Sequence, residues 1–209
     1  MPTKPTRVDS LLLADHYYLD ADDECYFIGE YTARAGFAFS ATNDLIQNLK
    51  KPMDRRDRPE WKYKEWAISK AADMLREAIP PEWLNSATLV PVPPSKAKDD
   101  PRYDDRLLRI LQHFGSGVGI DIRELVVQRR STAAAHESED RPTPTDVRDL
   151  YTIDETLTKP APEKLVVFHD LPTTGCHFKT IAQTLGDRFP TKPIIGLFIA
   201  RRAPDSDVI

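Results

Sequence analysis

"KLVVFHDLPTTGCHFKT" (residues 164–180) joins an apolar run, a short polar loop and the first turn of a helix. The run 165–168, Leu-Val-Val-Phe, has the length and β-branched, aromatic character of a strand covered on both faces. Beyond the loop, Phe178, Ile181, Ala182 and Leu185 fall on one helical face. A buried strand feeding a helix is the repeating unit of a parallel α/β sheet. Such sheets hold their ligands beyond the carboxyl ends of the strands. The loop at 169–177 is therefore the expected ligand site.

Two chemistries compete there. A helix starting near Cys176 offers unpaired N–H groups and a positive dipole end, which suit an anion. Gly175 permits close approach, and Thr173 and Thr174 add hydroxyl donors. Asp170, acceptor-only when ionised, suits sugar hydroxyls or Mg²⁺ better than phosphate. Alternatively, His169, Asp170, Cys176 and His177 would form a metal set, or Cys176 a nucleophile with its pKa lowered by the helix. No HxxxH or CxxC spacing supports the metal. His177 is adjacent to Cys176, and adjacent helical side chains diverge, so the nucleophile lacks an evident base. The anion cradle is the stronger reading.

Further strands and helices alternate around this unit. "KPIIGLFIA" (192–200) reads as a strand covered on both faces, and "ATLVPVP" (87–93) as a short strand stopped by prolines. "DDRLLRILQHF" (104–114) places Leu107, Ile110, Leu111 and Phe114 at helical spacing, and "ELVVQRR" (124–130) supplies another strand. A helix is expected over residues 60–79, with Ile68, Ala71, Ala72, Leu75 and Ile79 inward and "PPEW" as its stop. "SATNDLIQNLKKP" (40–52) is a shorter, capped helix. "HYYLDADDECYFIGEYT" (16–32) reads as a β-hairpin about an acidic turn. That turn lacks the glycine and distant glutamate of an EF-hand, so Asp20, Asp22, Asp23 and Glu24 are taken as solvated. The division expected is a hairpin-and-helix extension over 1–59, an α/β domain over 60–203 and a tail over 204–209.

Composition narrows the class. With 209 residues, 40% hydrophobic and 30% charged, the chain suits a globular protein with one good core. A net charge of −4 gives no general attraction to nucleic acid or anionic membrane. No run approaches the roughly 18 apolar residues of a membrane span, and "LLLA" is too short for a signal-peptide core, so a cytoplasmic location is expected. Two cysteines, Cys25 and Cys176, exclude a four-cysteine zinc site. His16, His113 and His136 show no metal spacing.

"VVFHDLPTTGCHF" (166–178) resembles the phosphoribosyl-pyrophosphate (PRPP) loop of type I phosphoribosyltransferases: an apolar strand, two acidic residues, two apolar residues and Thr-Thr-Gly. "TLVPVPPSKAKDDPRYDDRLLRIL" (88–111) is similar to the "LVPVP" strand, basic loop and helix of the ComF-like branch. "VVQRRSTAAAHESEDRPTPTDVRDLYTID" (126–154) falls at that branch's hood loop, and "PIIGLFIARR" (193–202) at its closing strand. The resemblance covers about residues 60–202. His169 stands where an acid is usual, His177 where a hydroxyl residue is usual, and Ala134 or Ala135 where the hood tends to have glutamine.

The resemblance implies a mostly parallel sheet flanked by helices and a PRPP or nucleotide ligand. Thr173, Thr174, Gly175, Cys176 and His177 would cradle the 5′-phosphate, and Asp170 with His169 would hold the ribose hydroxyls. Ser95 and Lys96 would meet pyrophosphate, and Arg129 and Arg130 would close over the departing charge. Arg102 and Arg106 are further candidates to reach the site, and Tyr103 and Tyr151 to stack on a base. Mg²⁺, held indirectly through Asp170, is the implied cofactor. Either phosphoribosyl transfer with pyrophosphate release follows, or a binding, regulatory or effector module that meets a protein partner through the N-terminal extension.

Overall fold

A computed structural model describes residues 4–132 and 143–203. The tail at 204–209 and the hood positions Ala134, Ala135 and His136 lie outside the described residues. The strands are β1 (Thr6–Arg7), β2 (Glu24–Thr32), β3 (Ala87–Pro91), β4 (Asp121–Ile122), β5 (Val126–Gln128), β6 (Tyr151–Ile153), β7 (Lys164–His169) and β8 (Ile194–Ala203). The helices are α1 (Ala41–Leu49), α2 (Lys62–Ala78), α3 (Arg106–Phe114), α4 (Pro144–Arg148) and α5 (Cys176–Arg188). The result is an α/β protein with a mixed, mostly parallel six-stranded sheet ordered β1-β2-β8-β7-β3-β4.

Local chemistry explains the boundaries. Ser40 Oγ accepts the Asn43 N–H at 3.0 Å to cap α1. Pro80, just past α2, cannot continue a helix. β3 and the centre of β7 are buried throughout, as their apolar runs require.

β3 runs through α3 to β4, away from β7, while β7 runs through α5 to β8 in the opposite direction. With right-handed crossovers, α3 and α5 therefore take opposite faces. α2 packs against both α1 and α3, and α5 packs against α4. The two central strands thus part company at their carboxyl ends, and the loops that follow them flank the switch point. In register, Pro91 pairs with Phe168, and Val92 N–H donates to the Phe168 carbonyl at 2.9 Å.

Several expectations change. The 16–32 hairpin does not form: β2 is a single strand lying parallel against β8, from Glu24 opposite Ile195 to Thr32 opposite Ala203. The expected first arm is drawn elsewhere, with Tyr18 N–H donating to the Thr174 carbonyl at 2.8 Å. The acidic turn is not simply solvated either, because Lys179 on α5 binds Asp20 and Asp23 at 2.6 and 2.8 Å. "ELVVQRR" leaves the main sheet, and its β5 pairs antiparallel with β6 in a separate ribbon. The edge place beside β3 goes to the two residues of β4. Finally, Val8, Phe27, Leu45 and Leu49 share one apolar core with Ile68, Leu89, Val166 and Leu197. The division at 59/60 thus has no counterpart in the packing.

Candidate functional site

The loop between β7 and α5 is shaped by what grips it from behind. Gly175 caps α5 with φ +83°, the left-handed region that favours glycine. A Cβ there would lie 2.6 Å from Leu19 Cγ, so Leu19 closes that side. His16 Nδ1–H donates to the Thr173 carbonyl at 2.8 Å, and Tyr18 N–H takes the Thr174 carbonyl. In a trans peptide, C=O and the following N–H point oppositely. Tying these carbonyls to residues 16–18 therefore turns the N–H groups of Thr174 and Gly175 the other way. Cys176 and His177 open α5, where N–H groups have no intrahelical partner. Among the described residues, nothing accepts from the N–H groups of Thr174, Gly175 or Cys176. The turn is an anion-shaped cradle with the α5 dipole behind it.

Asp170, one residue past β7, is fully buried. Arg106 grips its Oδ2 through Nε (3.1 Å) and Nη2 (2.8 Å). The other oxygen, Oδ1, faces His169 Nε2 at 3.5 Å and Lys50 Nζ at 3.9 Å, and makes no hydrogen bond. A charged chain runs back into the core. Arg106 Nη1 reaches Asp104 at 2.8 Å, and Asp104 binds Lys64 at 2.7 Å. The Lys64 ammonium, 1% exposed, also donates to the carbonyls of Leu49 (2.7 Å) and Lys51 (2.9 Å). That closes the end of α1.

The protonation states follow. Burial works to raise the Asp170 pKa, but Lys50, Arg106 and His169 overrule it and hold the carboxyl well below its usual range. Burial pulls His169 down to about 3, helped by His177, Lys50 and Arg106 and opposed by Asp170. Burial likewise lowers His177, whose Nδ1 shares a 2.7 Å hydrogen bond with the Tyr151 hydroxyl. Both imidazoles are neutral at pH 7. Burial pushes the Cys176 thiol up to about 11, the opposite of an activated thiolate.

Residues His169 to His177 are thus together on the loop between β7 and α5. Lys96 Nζ binds the Thr132 carbonyl, and the Ser95 carbonyl accepts Thr132 N–H at 2.8 Å. They fasten the loop after β3 to the base of the hood. Arg129 and Arg130 are exposed, and no side-chain bond links them to Asp170 among the described residues. The crevice beside β3, lined by Pro93, Tyr103, Asp104 and Glu124, has about 10 Å³ of free space, room for about one water. Tyr103 is held there by Glu124 at 3.0 Å.

Lys50, Lys64 and Asp104 escaped the sequence reading. Lys64 carried a signal, because it shares the inward stripe of Ile68, Ala71 and Leu75 on α2. A lysine on that stripe needs buried partners. Lys50 carried none, since its charge looks like any other in "NLKKPMDRR".

Asp170 does not present a free carboxylate for direct Mg²⁺ ligation. Mg²⁺ favours oxygen ligands in octahedral array, usually including one or two carboxylates. Here one carboxylate oxygen belongs to Arg106 and the other faces Lys50 and His169. Among the described residues, no three His, Cys, Asp or Glu side chains converge as a metal-binding group. No described helix is long and apolar enough to cross a membrane. The chain matches no family model and no characterised protein among those curated.

Proposed function

We propose that the chain is a phosphoribosyltransferase-like binding module for a 5-phosphoribosyl ligand. The 5′-phosphate occupies the Thr173–His177 turn, and the sugar hydroxyls are directed to Asp170. One observation carries this reading. Asp170 Oδ1 is a buried acceptor without a hydrogen bond, at the opposite end of the same loop from the unpaired N–H groups. Buried polar groups are normally paired, and a ligand hydroxyl is the donor that this oxygen lacks. An anion-binding end and a hydroxyl-binding end, one loop apart, match a sugar phosphate.

Binding without transfer is favoured by His169. A neutral imidazole cannot supply the second negative charge expected beside a developing ribosyl cation. Asp170, neutralised by Arg106, is not available to supply it alone.

Calorimetry with ribose 5-phosphate tests the binding, and a steady-state pyrophosphate assay with PRPP tests the absence of transfer. Ribose 5-phosphate should bind, Gly175→Ala should abolish that binding, and no pyrophosphate should accumulate. No heat from ribose 5-phosphate or PRPP at millimolar concentration would end the proposal. Pyrophosphate turnover lost in Asp170→Asn would restore the transferase reading.

A further inference from the structure

The charges around Asp170 do not balance. Arg106, Lys64 and Lys50 are the cations, Asp104 and Asp170 are the carboxylates, and His169 and His177 are neutral. Among the described residues one positive charge is left over. Lys64 gives its ammonium to Asp104 and two carbonyls, and Arg106 is shared between Asp104 and Asp170. Lys50 is the cation that, among the described residues, has no partner within hydrogen-bond reach. It stands 3.9 Å from Asp170 Oδ1, beyond hydrogen-bond reach, and its side chain keeps 38% of its surface exposed. Burial lowers its pKa and Arg106 adds to that, while Asp170 opposes both, and its own field reaches His169 at the end of β7 and His177 in the first turn of α5. Lys50 therefore stands beside Asp170 just past the end of α1, with part of its side chain open to solvent.

This surplus makes the site hostile to a divalent cation and receptive to a second anion. A ligand whose only charge is the 5′-phosphate on the turn leaves Lys50 unanswered. We infer that Lys50 takes the place of a metal, neutralising a second anionic group, a phosphate or pyrophosphate on the sugar, so that a doubly phosphorylated sugar binds without Mg²⁺. The inference rests on the 5-phosphoribosyl reading above and specifies its ligand class as sugar bisphosphates.

Calorimetry on the full chain, in EDTA and then in excess Mg²⁺, compares ribose 5-phosphate with PRPP. A charge-assisted contact predicts PRPP tighter by about tenfold or more in EDTA. Mg²⁺, by screening the pyrophosphate, should narrow that gap. Lys50→Gln should bring PRPP down to the level of ribose 5-phosphate, Lys50→Arg should keep most of the preference, and Lys70→Gln, an exposed lysine on α2, should keep all of it. Melting temperatures of the variants show that each is folded. A preference for PRPP that appears only with Mg²⁺, or that survives Lys50→Gln, overturns the inference while leaving the 5-phosphoribosyl reading intact. Failure of ribose 5-phosphate to bind, with PRPP binding still dependent on Lys50 in EDTA, overturns the 5′-phosphate assignment and supports the role of Lys50. Failure of both ligands overturns both.

Discussion

Single residues carry the site's geometry, and each can be tested alone. Gly175→Ala meets two penalties: a left-handed backbone with a Cβ, and a 2.6 Å clash with Leu19. Together these should cost about 2–4 kcal/mol, read as a lower urea midpoint at unchanged m-value. Arg106→Met leaves Asp170 charged, buried and without its guanidinium partner, at a cost of about 3–5 kcal/mol. Adding Asp170→Asn should recover part of that loss, and a simple sum of the two single costs would contradict the pairing. Burial lowers the pKa of His16, His169 and His177. The unfolded chain, with ordinary values near 6.5, therefore takes up protons that the folded chain refuses. Stability from this source is full above about pH 6.5 and declines below it, by up to about 1.4 kcal/mol per pH unit for each histidine. For His169 the decline continues to about pH 3. Urea melts from pH 7.5 to 5 should show this slope, and His169→Asn should reduce it, leaving the share of His16 and His177.

At the scale of elements, the helices and central strands were legible because their patterns are local. α1, α2, α3 and α5 were visible in 3.6-residue spacing, and β3, β7 and β8 in apolar runs. What failed was pairing. "ECYFIGEYT" reads as a strand whichever neighbour it takes, and its neighbour β8 lies at the other end of the chain. The cradle was readable because Thr-Thr-Gly and the following helix are contiguous. Its back wall of His16, Tyr18 and Leu19 was not, and neither was the Lys50–Arg106–Asp104–Lys64 chain, assembled from three helix ends. α2 gives a test that separates pattern from structure. By pattern, Lys64→Met completes an apolar stripe and should stabilise. The structure says the reverse: Asp104 and the carbonyls of Leu49 and Lys51 lose their donor, and the change should cost about 2–4 kcal/mol by denaturant melts.

Across the whole molecule, the sheet ties β2 near the start of the chain to β8 at residues 194–203. A fragment spanning residues 60–203 lacks β2, so β8 would present an unpaired edge, and Phe27, Leu45 and Leu49 would be missing from the core. Such a fragment should be insoluble or lack near-ultraviolet circular dichroism, and a sharp cooperative melt would contradict the shared core. The bond between His16 and the Thr173 carbonyl spans 157 positions. During synthesis the N-terminal clasp leaves the ribosome long before the loop it holds, and long-range closure is the slow part of folding. The cradle is thus among the last features to be completed. The proposed ligand would act as a seal on the finished chain, with nothing to grip in a nascent one.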